Sequence, residues 1–96
     1  MQDNHLRIKT DEKRQILVVD DELINRELLN MALSENYSVI FAVNGQEALD
    51  KISGNVQTLS LILLDLLMPV MTGMEVLRVL RDTPELSRIP VIVMTA

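Results

Sequence analysis

Residues Ile16-Leu17-Val18-Val19-Asp20-Asp21 decide the fold: an apolar, largely β-branched run stops abruptly at a pair of acids. A strand with one wet face alternates apolar and polar residues. An unbroken apolar run is instead the mark of a strand buried on both faces, as in a parallel sheet covered by helices. The figure recurs at Leu59 to Leu64, which Asp65 stops, and at Ile89-Pro90-Val91-Ile92-Val93-Met94, which ends on Thr95. Val39 to Val43 is a further apolar run, broken by Asn44-Gly45. Pro90 is tolerable because the missing N–H matters least at the start of a strand.

The intervening segments carry helical spacing. In residues 22–35, Ile24, Leu28, Met31 and Ala32, together with Leu29 and Leu33, oppose a polar far side. Asn44 with Glu47 three residues on resembles a capping box opening a helix over 45–53, which Gly54-Asn55 ends. A loop containing Pro69 and Gly73 leads into a helix over 73–82, with Val76, Leu77, Val79 and Leu80 as its apolar face. Pro84 starts the next connection. The order β-α-β-α-β-α-β with short connections predicts an α/β parallel sheet flanked by helices. The chain stops at Ala96, directly after the fourth strand, so this reading expects an incomplete, C-terminally truncated sheet.

Composition narrows the function. The 96 residues make one small domain, and 48% apolar content is enough for a core. That core must be aliphatic, since Tyr37 and Phe41 are the only aromatics. A formal net charge of −5 argues against direct nucleic-acid binding by this segment and fits a protein that handles cations or meets a basic partner. Without cysteine there is no disulfide framework, thiolate metal site or cysteine nucleophile, which is compatible with the cytoplasm. No apolar run is long enough to span a bilayer, and the N-terminus lacks a signal-peptide stretch. Residues 1–14 carry seven charges of mixed sign and no hydrophobic period; they are expected to be a flexible arm in which His5 is solvated, ahead of a domain over 15–96.

In parallel α/β sheets the functional crevice lies beyond the carboxyl ends of the strands, where strand order reverses. Asp20 and Asp21 end the first strand, Asp65 the third and Thr95 the fourth. If the first and third strands are neighbours, as in flavodoxin-like order, all four converge; nothing between them forces that order. Three carboxylates together need a counter-ion, and hard oxygen ligands suit Mg²⁺. Such a site draws in a phosphoryl group, and a carboxylate can act as the nucleophile that accepts it. Thr95 would offer a hydroxyl to a phosphoryl oxygen, and Ala96 would leave room. Each residue alone has a plainer reading: an Asp after a strand is commonly a helix N-cap, and one of Asp20 and Asp21 is expected to serve partly so. Met68 and Met71 read as loop packing rather than ligands. The combination carries the case.

Ile-Leu-Val-Val-Asp-Asp-Glu at 16–22, Asn-Gly-Gln-Glu-Ala-Leu at 44–49, Leu-Ile-Leu-Leu-Asp-Leu-Leu-Met-Pro-Val-Met-Thr-Gly at 61–73 and Ile-Pro-Val-Ile-Val-Met-Thr-Ala at 89–96 resemble the receiver domains of two-component response regulators. The resemblance covers residues 15–96 and implies a flavodoxin-like sheet. It implies that Asp65 takes a phosphoryl group from a phosphohistidine on a histidine kinase or phosphotransfer protein and switches a downstream output. Asp21, Asp65 and the backbone carbonyl of Leu67 would hold Mg²⁺, with Asp20 nearby or acting through water. Thr95 would be the switch hydroxyl, and Pro69 and Gly73 would shape the loop after the phosphorylation site. Asn25-Arg26 is similar to receivers in hybrid kinases and multidomain regulators.

The departure is C-terminal. The resemblance implies a further helix, a fifth strand bearing a lysine and a last helix after the fourth strand; this reading expects the chain to be cut short of them. Lys51 lies on the second helix, while Lys9 and Lys13 precede the first strand at the end of the sheet opposite the acids. Receivers catalyse their own phosphorylation and dephosphorylation, and this chain lacks the family lysine. An exposed fourth strand and an uncovered sheet face are expected to promote self-association.

Three rivals bear on the same residues. The chain could be a phosphorylation-incompetent fragment or pseudo-receiver acting as an interaction module. A flavodoxin would need a phosphate site after the first strand, where Asp20-Asp21-Glu22 repels phosphate, and an aromatic to stack the flavin. An aspartyl phosphatase usually has a second Asp two residues after the nucleophile; here that residue is Leu67.

Overall fold

The computed structural model describes residues 13–69 and 71–94. Seven elements alternate along the chain: β1 (Arg14–Val19), α1 (Leu23–Leu33), β2 (Tyr37–Ala42), α2 (Gly45–Gly54), β3 (Leu59–Asp65), α3 (Gly73–Asp82) and β4 (Val91–Met94). The strands form one parallel sheet in the order β2-β1-β3-β4. β1 and β3 are therefore neighbours, and the order reverses at β1, the flavodoxin-like arrangement.

Burial explains the apolar runs. Leu17, Val18, Val19, Ile62 and Leu64 are fully buried, and sealing a side chain of this size contributes about 1.5–3 kcal/mol. Alternate strand residues feed two clusters on opposite faces. Leu17, Val19, Ile62 and Leu64 join Ala48 and Ile52 of α2 and Val76 and Leu80 of α3. Ile16, Val18 and Leu63 lie on the other face, where Leu29 and Leu33 of α1 pack against them. One face thus carries two helices and the other carries one.

The helix starts are set by side chains. Asn44 accepts the Glu47 N–H at 2.8 Å, as expected of a cap. The reciprocal half of the box is displaced by one residue, because the Glu47 carboxylate takes the N–H of Val43 rather than that of Asn44. Thr72 and Glu75 make a complete capping box at the start of α3, which the sequence reading passed over. α1 starts differently. Its N-cap is Glu22, which makes no side-chain cap bond, so neither Asp20 nor Asp21 caps it. Asp20 instead accepts the N–H of Glu22 at 2.9 Å, a turn laid down just ahead of the helix.

Boundaries shift slightly. Arg14 already belongs to β1, so the strand begins one residue inside the expected arm, whose residues 1–12, with His5 and Lys9, lie outside the described residues. The fourth strand starts at Val91 rather than Ile89. Ile89 is buried in the core ahead of it, and the Pro90 carbonyl accepts the Ile62 N–H at 3.0 Å. Met68 is buried in the core and Met71 packs against the same cluster, as loop-packing residues do.

Candidate functional site

The register sets the site. Val19 pairs with Leu64, so the next residues, Asp20 and Asp65, stand at the same level on adjacent strands. Asp65 is itself the last residue of β3 and pairs with Met94 of β4. Asp21 follows in the β1–α1 connection. Carboxylate oxygens from Asp20, Asp21 and Asp65 all lie within 4.8 Å of one another. Three anions at that separation repel strongly unless a cation or proton intervenes.

The three acids differ in surroundings. Asp20 is only 4% exposed, Asp65 is half-buried and Asp21 is open to solvent. Burial pushes the Asp65 carboxyl above the usual carboxylate range, and the charges of Asp20 and Asp21 push it the same way. The N–H of Leu67, 2.9 Å from Asp65 Oδ1, works against them. Asp20 is anchored by its main chain as well. Its N–H donates to Ala42 at 3.1 Å, and its carbonyl accepts Arg26 Nη1 at 3.0 Å. Its carboxylate accepts from the Glu22 N–H and, at 3.2 Å, from the Asn25 amide.

The acids open into a crevice of about 460 Å³. Leu28 and Leu29 of α1 form one wall, and Met94 and the exposed Leu67 border the other side. None of its lining residues is basic. The lysines among the described residues are committed elsewhere. Lys51 bonds the Phe41 carbonyl and pairs with Glu47 at 3.5 Å, while Lys13 donates to the Ser34 carbonyl at 3.0 Å.

Of the residues expected at the site, Asp20, Asp21, Asp65 and Leu67 come together. Gly73 lies directly behind Asp65, with its N–H donating to the Leu66 carbonyl at 3.2 Å. Pro69 is exposed in the intervening loop. Thr95 and Ala96 lie outside the described residues, although Met94 brings the chain to the crevice just before them. Glu22, Asn25 and the α1 wall were not assigned to the site from sequence. The available signal was the position of Asn25 at the first turn of a helix that starts from the acid pair.

Parallel order, a switch point at β1 and an acidic triad at the strand ends define a flavodoxin-like α/β fold of receiver type. The family model for the response regulator receiver domain matches residues 16–96, and the chain belongs to that family. It is 35% identical to the two-component response regulator ARR16 of Arabidopsis thaliana over 107 residues, covering 98% of this chain and 65% of that protein. Among solved structures it is similar to response regulator TrrA of Thermotoga maritima in complex with Mg²⁺-BeF, with a TM-score of 0.75 and 39% identity over 86% of this chain and 70% of that one. It is also similar to the phosphorylated cyanobacterial phytochrome response regulator RcpA, with a TM-score of 0.79 and 32% identity over 86% of this chain and 65% of that one. The chain thus spans 65% of the length of ARR16.

Proposed function

We propose that Asp65 is the phosphoacceptor of this receiver domain and that a histidine kinase or phosphotransfer protein is the donor. The observation that carries this reading is the convergence of three carboxylates within 4.8 Å at the ends of adjacent strands, with Asp65 at the sheet's switch point. The donor set of hard, anionic oxygens fits Mg²⁺ and offers nothing to soft metals. Asp21 and Asp65 would hold the ion with the backbone carbonyl of Leu67, and Asp20 would act beside them or through water. When bound, Mg²⁺ neutralises the acids and the phosphoryl oxygens that gather there. TrrA was solved with Mg²⁺-BeF and RcpA in its phosphorylated form, which supports both halves of the reading.

The Asp65 carboxylate oxygen attacks phosphorus as the phosphorus–nitrogen bond to the donor imidazole breaks; the ring nitrogen keeps the electron pair of that bond, takes a proton from solvent and leaves as neutral imidazole. The Leu67 N–H donates to Asp65 Oδ1 at 2.9 Å and so orients the carboxylate. Thr95 is the proposed switch hydroxyl toward the phosphoryl group, and Pro69 and Gly73 shape the loop that follows the acceptor. Switching of a downstream output and a cytoplasmic setting belong to the same proposal; no helix among the described residues is long and apolar enough to cross a membrane. Incubation with acetyl phosphate and Mg²⁺, followed by intact-mass measurement, tests it. One phosphoryl group should be gained by the wild type and none by Asp65→Asn. No gain by the wild type would favour the docking-module reading instead.

Self-association is the second part of the proposal. The outer edge of β4 pairs with no strand among the described residues, and Ile92 is 53% exposed upon it. A second copy could add its own β4 there through main-chain hydrogen bonds.

A further inference from the structure

Asn25 stands one turn into α1 between two acids. Its side-chain nitrogen is 3.2 Å from Asp20 Oδ2 and 3.1 Å from Glu22 Oε1. An amide nitrogen has two N–H groups, so each carboxylate receives one. The opposite amide orientation would turn its carbonyl oxygen against both anions, so chemistry fixes the orientation as well as the contact. The remaining oxygen of Asp20 takes the Glu22 N–H at 2.9 Å. Both oxygens of Asp20 are therefore held from the α1 side, and the fourth acid lining the crevice, Glu22, is tethered by the same amide.

We propose that Asn25 is a positioning residue for the divalent cation: its amide fixes the Asp20 carboxylate and restrains Glu22, and so favours Mg²⁺ over Ca²⁺. This rests on the Mg²⁺ reading of the acidic triad. The physical reason lies in what the two ions need. Mg²⁺ demands a nearly ideal octahedron and keeps several waters, so it is served by few carboxylates in set positions. Ca²⁺ accepts six to eight oxygens in loose geometry, so it profits from extra mobile carboxylates. A neutral amide restrains two anions without adding a positive charge that would compete with the metal. Groups that orient metal ligands typically change affinity about 10–100-fold when removed.

Arg26 supplies the internal control. Its guanidinium reaches the main-chain carbonyl of Asp20 and not the carboxylate. Its loss should loosen the strand end without releasing either acid.

Calorimetric titration of the chain with MgCl₂ and separately with CaCl₂ tests the inference, with thermal unfolding by circular dichroism to confirm folding. Asn25→Ala should weaken Mg²⁺ binding about ten-fold while Ca²⁺ binding falls less or rises. Arg26→Ala should shift both ions by the same factor. If Asn25→Ala is unfolded, Asn25→Ser, which keeps a single small donor, should show the same loss of preference in the same direction. An unchanged ratio of Mg²⁺ to Ca²⁺ affinities in a folded Asn25 variant overturns the role of Asn25. Failure of the wild type to bind Mg²⁺, or undiminished binding in Asp21→Asn and Asp65→Asn, overturns the site reading itself and the inference with it.

Discussion

Gly73 presses against the main chain of Asp65: a Cβ built on Gly73 would overlap the Asp65 carbonyl oxygen and stand 2.7 Å from Leu66 Cα. The N-terminus of α3 is thereby seated against the strand end that presents the acceptor. Both obstacles are backbone atoms, so no flexible side chain can give way.

Gly73→Ala should therefore destabilise the fold despite the better helix propensity of alanine. Forcing a methyl group into packed surroundings typically costs about 1–3 kcal/mol. Gly54 is the contrast, since nothing lies within 4 Å of its would-be Cβ at the end of α2. Gly54→Ala should be neutral or stabilise by up to about 1 kcal/mol through lower entropy of the unfolded chain. Urea unfolding of the two variants checks the pair. Equal midpoints for the two would mean that α3 can move away from Asp65 at little cost.

Asp65→Asn should raise the thermal midpoint in metal-free buffer at neutral pH. Burial and the neighbouring Asp20 and Asp21 disfavour the ionised carboxylate, and the amide removes that charge. The order should invert with Mg²⁺. A ligand at one hundred times its Kd stabilises the state it binds by about 2.7 kcal/mol, which the variant should forgo. Melting curves with MgCl₂ and with EDTA read both effects. A wild type unmoved by saturating MgCl₂ would remove the basis of this prediction.

Glu47 gives a pH dependence remote from the acids. The Val43 N–H that it accepts holds its carboxyl below the ordinary value of 4.5, with Lys51 helping, and burial opposes them only in part. In the window just below pH 4.5 the unfolded chain binds more protons at this group than the folded one, so stability rises with pH there. The contribution is fully present above pH 4.5 and is lost as pH falls through the depressed folded value. Glu47→Gln should be less stable than the wild type at neutral pH, with the gap closing in acid. Because Glu47 is partly exposed, the gap should be small. Urea midpoints across this range measure it, and a gap that widens in acid would reverse the assigned sign.

The strands and the acidic triad were legible because each is marked locally. An apolar run ended by Asp20 or Asp65 states both burial on two faces and the place where the strand stops. α1 was legible as a helix but not in its orientation. Ile24, Leu28 and Met31 share its apolar spacing with Leu29 and Leu33, yet only the last two pack on the sheet. Ile24 and Met31 remain 71% and 76% exposed. Periodicity finds stripes; which stripe turns inward depends on what the sheet presents, here Ile16, Val18 and Leu63. Asn25 escaped for a related reason. Its partners Asp20 and Glu22 are only five and three residues away in sequence, but the turn that aims all three at one crevice is a product of folding.

The open side of the sheet gives the last prediction. α1 lies over β1 and β2 and packs on the cluster that includes Leu63 of β3, and beyond it β4 carries no helix on that face among the described residues. Ile92 and Val93 are both exposed on β4, whose outer edge pairs with no strand among the described residues. Such an edge recruits another strand unless charge or proline blunts it. Sedimentation velocity should show the wild type shifting to larger species as concentration rises. Ile92→Lys places a charge on the edge strand without touching the acidic crevice, and it should keep the chain monomeric while leaving Mg²⁺ binding intact. A wild type that remains monomeric at the highest attainable concentration would argue that β4 does not join copies of the chain.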